Sequence, residues 1–212
     1  MAIYDPVTVA NAALLLCNIG QPITSLEDSS HRAQILNRCY EQARDAVLSR
    51  AQFQFADRRI VLGLVEEDPN DDWGFSYRYP EDPTCICLRR LVDLQGMPVS
   101  DPVPYATSHD DQGRLIFTDL EDAVALFSAA FNDPGKWPQL LSQAVAAELA
   151  KMAAPGLGKA DRLGYIESKA TEYRIEAQAV AAIELQSHRQ PDSSYIQARG
   201  GLSPFRDYRR RY

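Results

Sequence analysis

Asp133-Pro134-Gly135-Lys136-Trp137-Pro138-Gln139-Leu140-Leu141-Ser142-Gln143-Ala144-Val145-Ala146-Ala147-Glu148-Leu149-Ala150-Lys151-Met152-Ala153-Ala154 is the stretch on which the reading of the whole chain turns. A turn at Asp133-Pro134-Gly135 leads to Trp137 and to Pro138, whose fixed φ and missing N–H suit the first turn of a helix. Leu141, Ala144, Val145, Glu148, Leu149 and Met152 follow at helical spacing, and Pro155-Gly156 stops the run. Alanine at 144, 146, 147, 150, 153 and 154 leaves little side chain on much of the surface, so neighbouring helices can approach closely. The spacing predicts the central helix of a packed bundle over 138–154, a post for helices on either side of it in the chain.

Working outward, Asp5-Pro6 opens a helix over 6–19 with Ala10, Ala13, Leu14 and Cys17 on its apolar face, closed by Gly20. Gln21 to Leu26 is an extended link. Ser29 or Ser30 caps a second helix over 30–49, with Ile35, Leu36, Cys39, Tyr40, Ala43, Val47 and Leu48 at spacings of three and four. Beyond the post, a helix over 159–188 turns Leu163, Ile166, Ala170, Tyr173, Ala177 and Val180 inward, and Pro191 ends it. Between the helical halves the period is two. Phe53 and Phe55 alternate, Glu66 to Asp72 is an acidic loop holding Pro69, and Trp73, Phe75, Tyr77 and Tyr79 line one strand. Thr84 to Leu94 is a further strand with Cys85 and Cys87 on one face. Residues 105–108 and 114–118 flank His109-Asp110-Asp111-Gln112-Gly113 as a hairpin loop, and 123–131 alternate again.

The expected fold class is therefore α+β, mainly α. A single domain over 1–190 is a four-helix bundle (1–52 and 132–190) carrying a small inserted antiparallel β subdomain (53–131). Leu14, Leu36, Tyr40, Leu141, Val145, Leu149, Ile166 and Tyr173 are its expected core, and 191–212 is a flexible C-terminal arm.

With 212 residues, 45% hydrophobic and 24% charged, the composition is that of a soluble globular protein. No apolar run is long enough to span a bilayer and the N-terminus lacks a signal-peptide pattern, so synthesis in a cytoplasm is expected, with the four cysteines as free thiols. The net charge of −7 is unevenly spread: six arginines against Asp192 and Asp207 make 186–212 net +4, leaving −11 on the preceding residues. An acidic body with a basic tail points to a tail that meets another surface.

Signals for chemistry are weak one by one. Gly156-Leu157-Gly158-Lys159 resembles the end of a phosphate-binding loop, but Ala153 stands where its first glycine belongs and Ala160 where its hydroxyl belongs. Cys85-Ile86-Cys87 lacks a partner pair at zinc spacing. His109-Asp110-Asp111 sets a base beside carboxylates without a nucleophile elbow, and His31 and His188 stand alone. Asp119, Glu121 and Asp122 offer a glycosidase-like pair or a solvated turn. The aromatic strand is a stacking surface or a half-buried sheet face. The residues give no catalytic, cofactor or metal site. The alternatives they leave are a hydrolase of polysaccharide or cell wall working through the acidic cluster, and a nucleic-acid binder working through the basic tail.

Taken in order, these residues resemble the head-to-tail adaptor family of short-tailed phages, the tail tubular protein A-like connectors. The likeness is carried by Asn11-x-x-Leu14 with Ile19-Gly20, Pro22-Ile23-x-Ser25-Leu26, Tyr40-x-x-x-Arg44-Asp45, Phe53-x-Phe55, Trp73 and Tyr77-x-Tyr79-Pro80. Trp137-Pro138 leading into Ala147-x-Leu149-Ala150, then a long helix with Tyr173 and Ala177, completes it over about residues 3–185. The resemblance implies a structural virion protein without enzymatic activity or cofactor, made in the host cytoplasm. It implies a dodecameric ring at the head-tail junction that docks on the portal protein and carries the tail nozzle or tube. DNA would pass through its lumen without specific binding, and no membrane is involved. The tail adds an expected portal-docking arm in which Tyr195, Phe205, Tyr208 and Tyr212 are aromatic anchors and Arg199, Arg206, Arg209, Arg210 and Arg211 make charged contacts.

Overall fold

Asp5 begins the first helix: its carboxylate accepts the Thr8 N–H at 2.6 Å, with Pro6 in the first turn. These hydrogen bonds hold the Asp5 carboxyl below the usual carboxylate range. The computed structural model describes residues 5–94 and 103–185. Helix α1 (Pro6–Leu16) ends sooner than its periodicity suggests. Asn18 takes a φ of +57°, and the Asn18 and Ile19 N–H groups close back on the Leu15 and Leu14 carbonyls at 2.9 Å each. Asparagine supplies the left-handed cap, so Gly20 lies beyond the end rather than making it.

Ser30 caps α2 (His31–Arg50), its hydroxyl accepting the Ala33 N–H at 3.3 Å. Helix α3 (Gln139–Ala153) follows Pro138, which takes the capping position just outside the helix. The turn Pro155 to Lys159 is closed by the Lys159 N–H on the Ala154 carbonyl at 2.8 Å, with Gly158 at φ +69°. After one 3-10 turn at Ala160–Arg162 comes α4 (Leu163–Leu185).

The mainly-α four-helix bundle expected from periodicity is not what forms. Helices α1, α2 and α4 each pack on α3 and make little contact with one another. Ten of the fifteen α3 residues are buried, five of them alanine, so small side chains on several sides admit three neighbours instead of the two that a bundle seam provides. Leu14, Leu36, Tyr40, Leu141, Val145, Leu149 and Ile166 lie in this core, while Tyr173 is only partly buried at its margin.

The β part is also no small appendage. Among the described residues seven strands form two antiparallel sheets: β1 (Asp57–Val61), β7 (Val124–Ala129) and β4 (Cys85–Val92) in the order β1-β7-β4, and β2 (Leu64–Asn70), β3 (Trp73–Arg78), β6 (Gly113–Thr118) and β5 (Ala106–Asp110) in the order β2-β3-β6-β5. Cys85, Leu88, Leu91 and Phe127 of the first sheet meet Tyr77 and Ile116 of the second in a separate core. Ile86, on the other side of β4, packs on the helical core instead. The fold is thus α+β in three layers: helices, sheet, sheet.

Three local expectations change with it. Phe53-x-Phe55 is not a strand; it is a single 3-10 turn (Gln54–Ala56) leading into β1, with Phe53 in the helical core and the Phe55 ring edge-on to Phe131 at 5.7 Å. The acidic segment is strand β2, not a loop, and lies at a sheet edge. Irregular pairing with β3 and Asp68 at φ +49° accommodate Pro69 there. A register shift between Cys85 and Cys87 breaks the alternation in β4, burying Cys85 between the sheets and leaving Cys87 half-buried. All four cysteines are free thiols.

One arginine joins the layers. Arg89 on β4 donates from Nη2 to the Leu48 and Ala51 carbonyls at 2.8 and 2.5 Å, from Nη1 to the Ser49 carbonyl at 3.1 Å, and from Nε to the Ser128 hydroxyl at 3.0 Å. Its guanidinium therefore collects carbonyls that the end of α2 leaves without helical partners.

Candidate functional sites

Three of the residues that carry the family resemblance, Asn11, Arg44 and Trp137, lie on the helical side, each with a positioning task, while Trp73, Tyr77 and Tyr79 lie in the β part. Asn11 of α1 holds the link after it in place, its Oδ1 accepting the Ile23 N–H at 2.8 Å and its Nδ2 donating to the Ile23 carbonyl at 3.0 Å. Arg44, 5% exposed, donates from Nε to Asp45 at 2.7 Å and from Nη1 to Asn132 Oδ1, which ties α2 to the segment entering α3. Trp137 is buried beside α3 and its indole N–H donates to the Phe131 carbonyl at 3.2 Å.

The nine arm residues (Tyr195, Arg199, Phe205, Arg206, Tyr208, Arg209, Arg210, Arg211 and Tyr212) lie outside the described residues, as does His188. The other sequence candidates are dispersed. His31 opens α2 on the surface. His109 and Asp110 stand in β5 rather than in a loop, opposite Arg114 and Gly113. Asp110 is engaged by the Arg78 guanidinium at 2.7 and 3.0 Å, and that fork lowers its pKa. Asp119 accepts the Gly74 N–H at 3.0 Å and Asp122 sits at φ +51°, so the acidic cluster shapes the turn between β6 and β7. Gly156 to Lys159 is the turn between α3 and α4.

The aromatic strand turns inward. The Tyr77 hydroxyl donates to the Leu120 carbonyl at 2.8 Å. Tyr79 lies under the Arg114 guanidinium at 3.9 Å, and burial pushes its hydroxyl up to about 12. Both rings belong to the inter-sheet core, so the stripe is not a free stacking surface.

Sequence reasoning missed the role of Glu148, a buried carboxylate on α3 set between Lys151 at 2.5 Å and Arg50 at 3.3 Å. A polar cleft beside it is lined by Glu167, Thr171 and Arg174. The two cations neutralise a group that the interior would otherwise expel, a positioning task again. The signal was present as a lone acid in an alanine-rich apolar face. Among the described residues no three His, Cys, Asp or Glu side chains gather as a metal site.

Two sets of exposed side chains differ in character. On α4, Ile175 and Ile183 are 57% and 68% exposed, and on α1 Leu15 is 68% exposed. The β2 edge is the opposite in character: Glu66, Glu67, Asp68, Asp71 and Asp72 are all exposed along it. No protein-family model matches the chain, and no curated protein is similar to it at a significant level.

Proposed function

We propose that the chain is a structural head-to-tail adaptor of a short-tailed phage. Copies form a ring on the portal protein at the head-tail junction, extend the DNA channel, and carry the tail nozzle or tube. The observation that supports this most directly is the work done by Asn11, Arg44 and Trp137. Residues that carry the resemblance hold helices and links in position, the task of a scaffold. The exposed Ile175, Ile183 and Leu15 are surface for copy-to-copy contact, and no described helix is long and apolar enough to cross a membrane. The protein acts without catalysis or cofactor, is made in the host cytoplasm and is carried in the virion.

In this reading 191–212 is the portal-docking arm. Its aromatics fill pockets on the portal and its arginines take carboxylates and carbonyls there. Deleting 191–212 should leave the melting temperature nearly unchanged and abolish attachment to portal rings, read by mass measurement of the chain alone and mixed with portal. A truncated chain that joins portal rings as tightly as the full one would remove the arm from this role.

The same reading gives the acidic body a purpose. A ring of copies, each −11 outside the tail, repels the phosphate backbone wherever those carboxylates face the lumen, so DNA slides without sticking. Carboxylates should therefore outnumber Lys and Arg on the lumen wall of the assembled ring. A reconstruction with a basic wall would sink the idea.

A further inference from the structure

A groove runs between the first turn of α3 and the last turns of α4. Phe53, Leu141, Ala177 and Ala181 are its buried floor, and its rim is the half-buried Leu140 and Val180, which is 38% exposed. It holds about 210 Å³, room for one side chain of moderate size, and Gln139 is the only polar side chain on its lining. The small side chains of Ala177 and Ala181 keep the floor low on the α4 side. Water finds few hydrogen-bond partners on such walls, so an aliphatic side chain is the better occupant.

Helix α4 carries the chain past this groove. Leu185, the last described residue, lies one helical turn beyond Ala181. Pro191 further on disfavours continuation of a helix, and Pro191-Asp192-Ser193-Ser194 is made of turn-forming residue types. The first large aliphatic side chain after Leu185 is Ile196, and every residue between them except Tyr195 is polar or proline. An extended chain covers about 3.3 Å per residue. The stretch from Leu185 to Ile196 can therefore span several times the roughly 6 Å of helix that separates Leu185 from Ala181, enough to turn back without strain.

We propose that Ile196 of the same chain seats in this groove, so that the segment after α4 folds back over the start of α3 and the rest of the chain leaves from there. Loop-closure cost grows only with the logarithm of length, and for so short a tether it is of the same order as the gain from burying one aliphatic side chain. The seat therefore opens readily and adds little to the melting temperature. It stands apart from the adaptor reading and engages none of the nine residues assigned to the portal.

The test uses the full chain, isotope-labelled at the isoleucine, leucine and valine methyl groups. NOE cross-peaks should join the Ile196 methyls to those of Leu140 and Val180. Ile196→Ser should shift the Leu140 and Val180 methyl resonances, and Leu202→Ser, at the next large aliphatic along the chain, should leave them in place. Val180→Glu, on the exposed rim, should move the Ile196 methyls to the positions of an unstructured chain and leave the melting temperature nearly unchanged. Chains labelled only at isoleucine, mixed with chains labelled only at leucine and valine, identify whose segment is seated: the cross-peaks should vanish in the mixture. Their persistence there would give the groove to a second copy and overturn the proposal. So would an absence of cross-peaks in the fully labelled chain, Ile196 methyls unmoved by Val180→Glu, or groove methyls shifted as far by Leu202→Ser as by Ile196→Ser.

Discussion

Replacing Leu149 by alanine should cost the protein about 2–5 kcal/mol and lower its melting temperature by roughly 4–20 °C. Leu149 is fully buried in the C-terminal half of the helix on which the other three pack. Its flanks are Ala146, Ala147, Ala150 and Ala153, which have no flexible side chain to move into a void. A cavity that cannot collapse keeps its full penalty, so the upper half of the range is expected. A chemical-denaturation difference below about 0.5 kcal/mol would mean that packing is not concentrated on this helix.

Arg89→Ala should cost about 3 kcal/mol, although Arg89 is only half-buried and lies in a strand rather than in the helical core. The substitution leaves the Leu48, Ser49 and Ala51 carbonyls without their common donor and removes a positive charge from the negative end of α2. Arg89→Lys keeps the charge but not the planar fork, so it should recover only part of the loss. Helix and sheet signals should melt together in the wild-type protein and separate in Arg89→Ala, because this side chain ties α2 to the first sheet. Coincident melting in the variant, with a loss under about 1 kcal/mol, would show that the tie is redundant.

The helices were legible because one-sided burial writes a period into sequence. Asp5 and Ser30 as caps, and the glycine turn after α3, were readable for the same local reasons. Helix arrangement was not, since alanine marks close approach without saying how many neighbours approach. The site was less legible still. Arg44 sits in the buried stripe of α2 beside Ala43 and Val47, and a charge in such a stripe is a visible signal. Its partner Asn132, however, lies far along the chain and shares no pattern with it. Arg89 was hidden for a like reason: its acceptors are backbone carbonyls, which every residue has and no sequence displays.

Strand β2 escaped detection because neither of its faces is buried over most of its length, so nothing imposes a period of two, and one of its edges faces no neighbouring strand among the described residues. That unpaired edge has a consequence for how the protein behaves when crowded. A bare row of N–H and C=O groups is a template for another chain's strand, and many copies held side by side would meet it repeatedly. Pro69 withholds one donor, the bend at Asp68 spoils the straightness a second strand would need, and Glu66 and Glu67 repel a like edge. Copies can therefore be concentrated against each other without their sheets fusing into aggregates, and the carboxylates along β2 act as gatekeepers against that route.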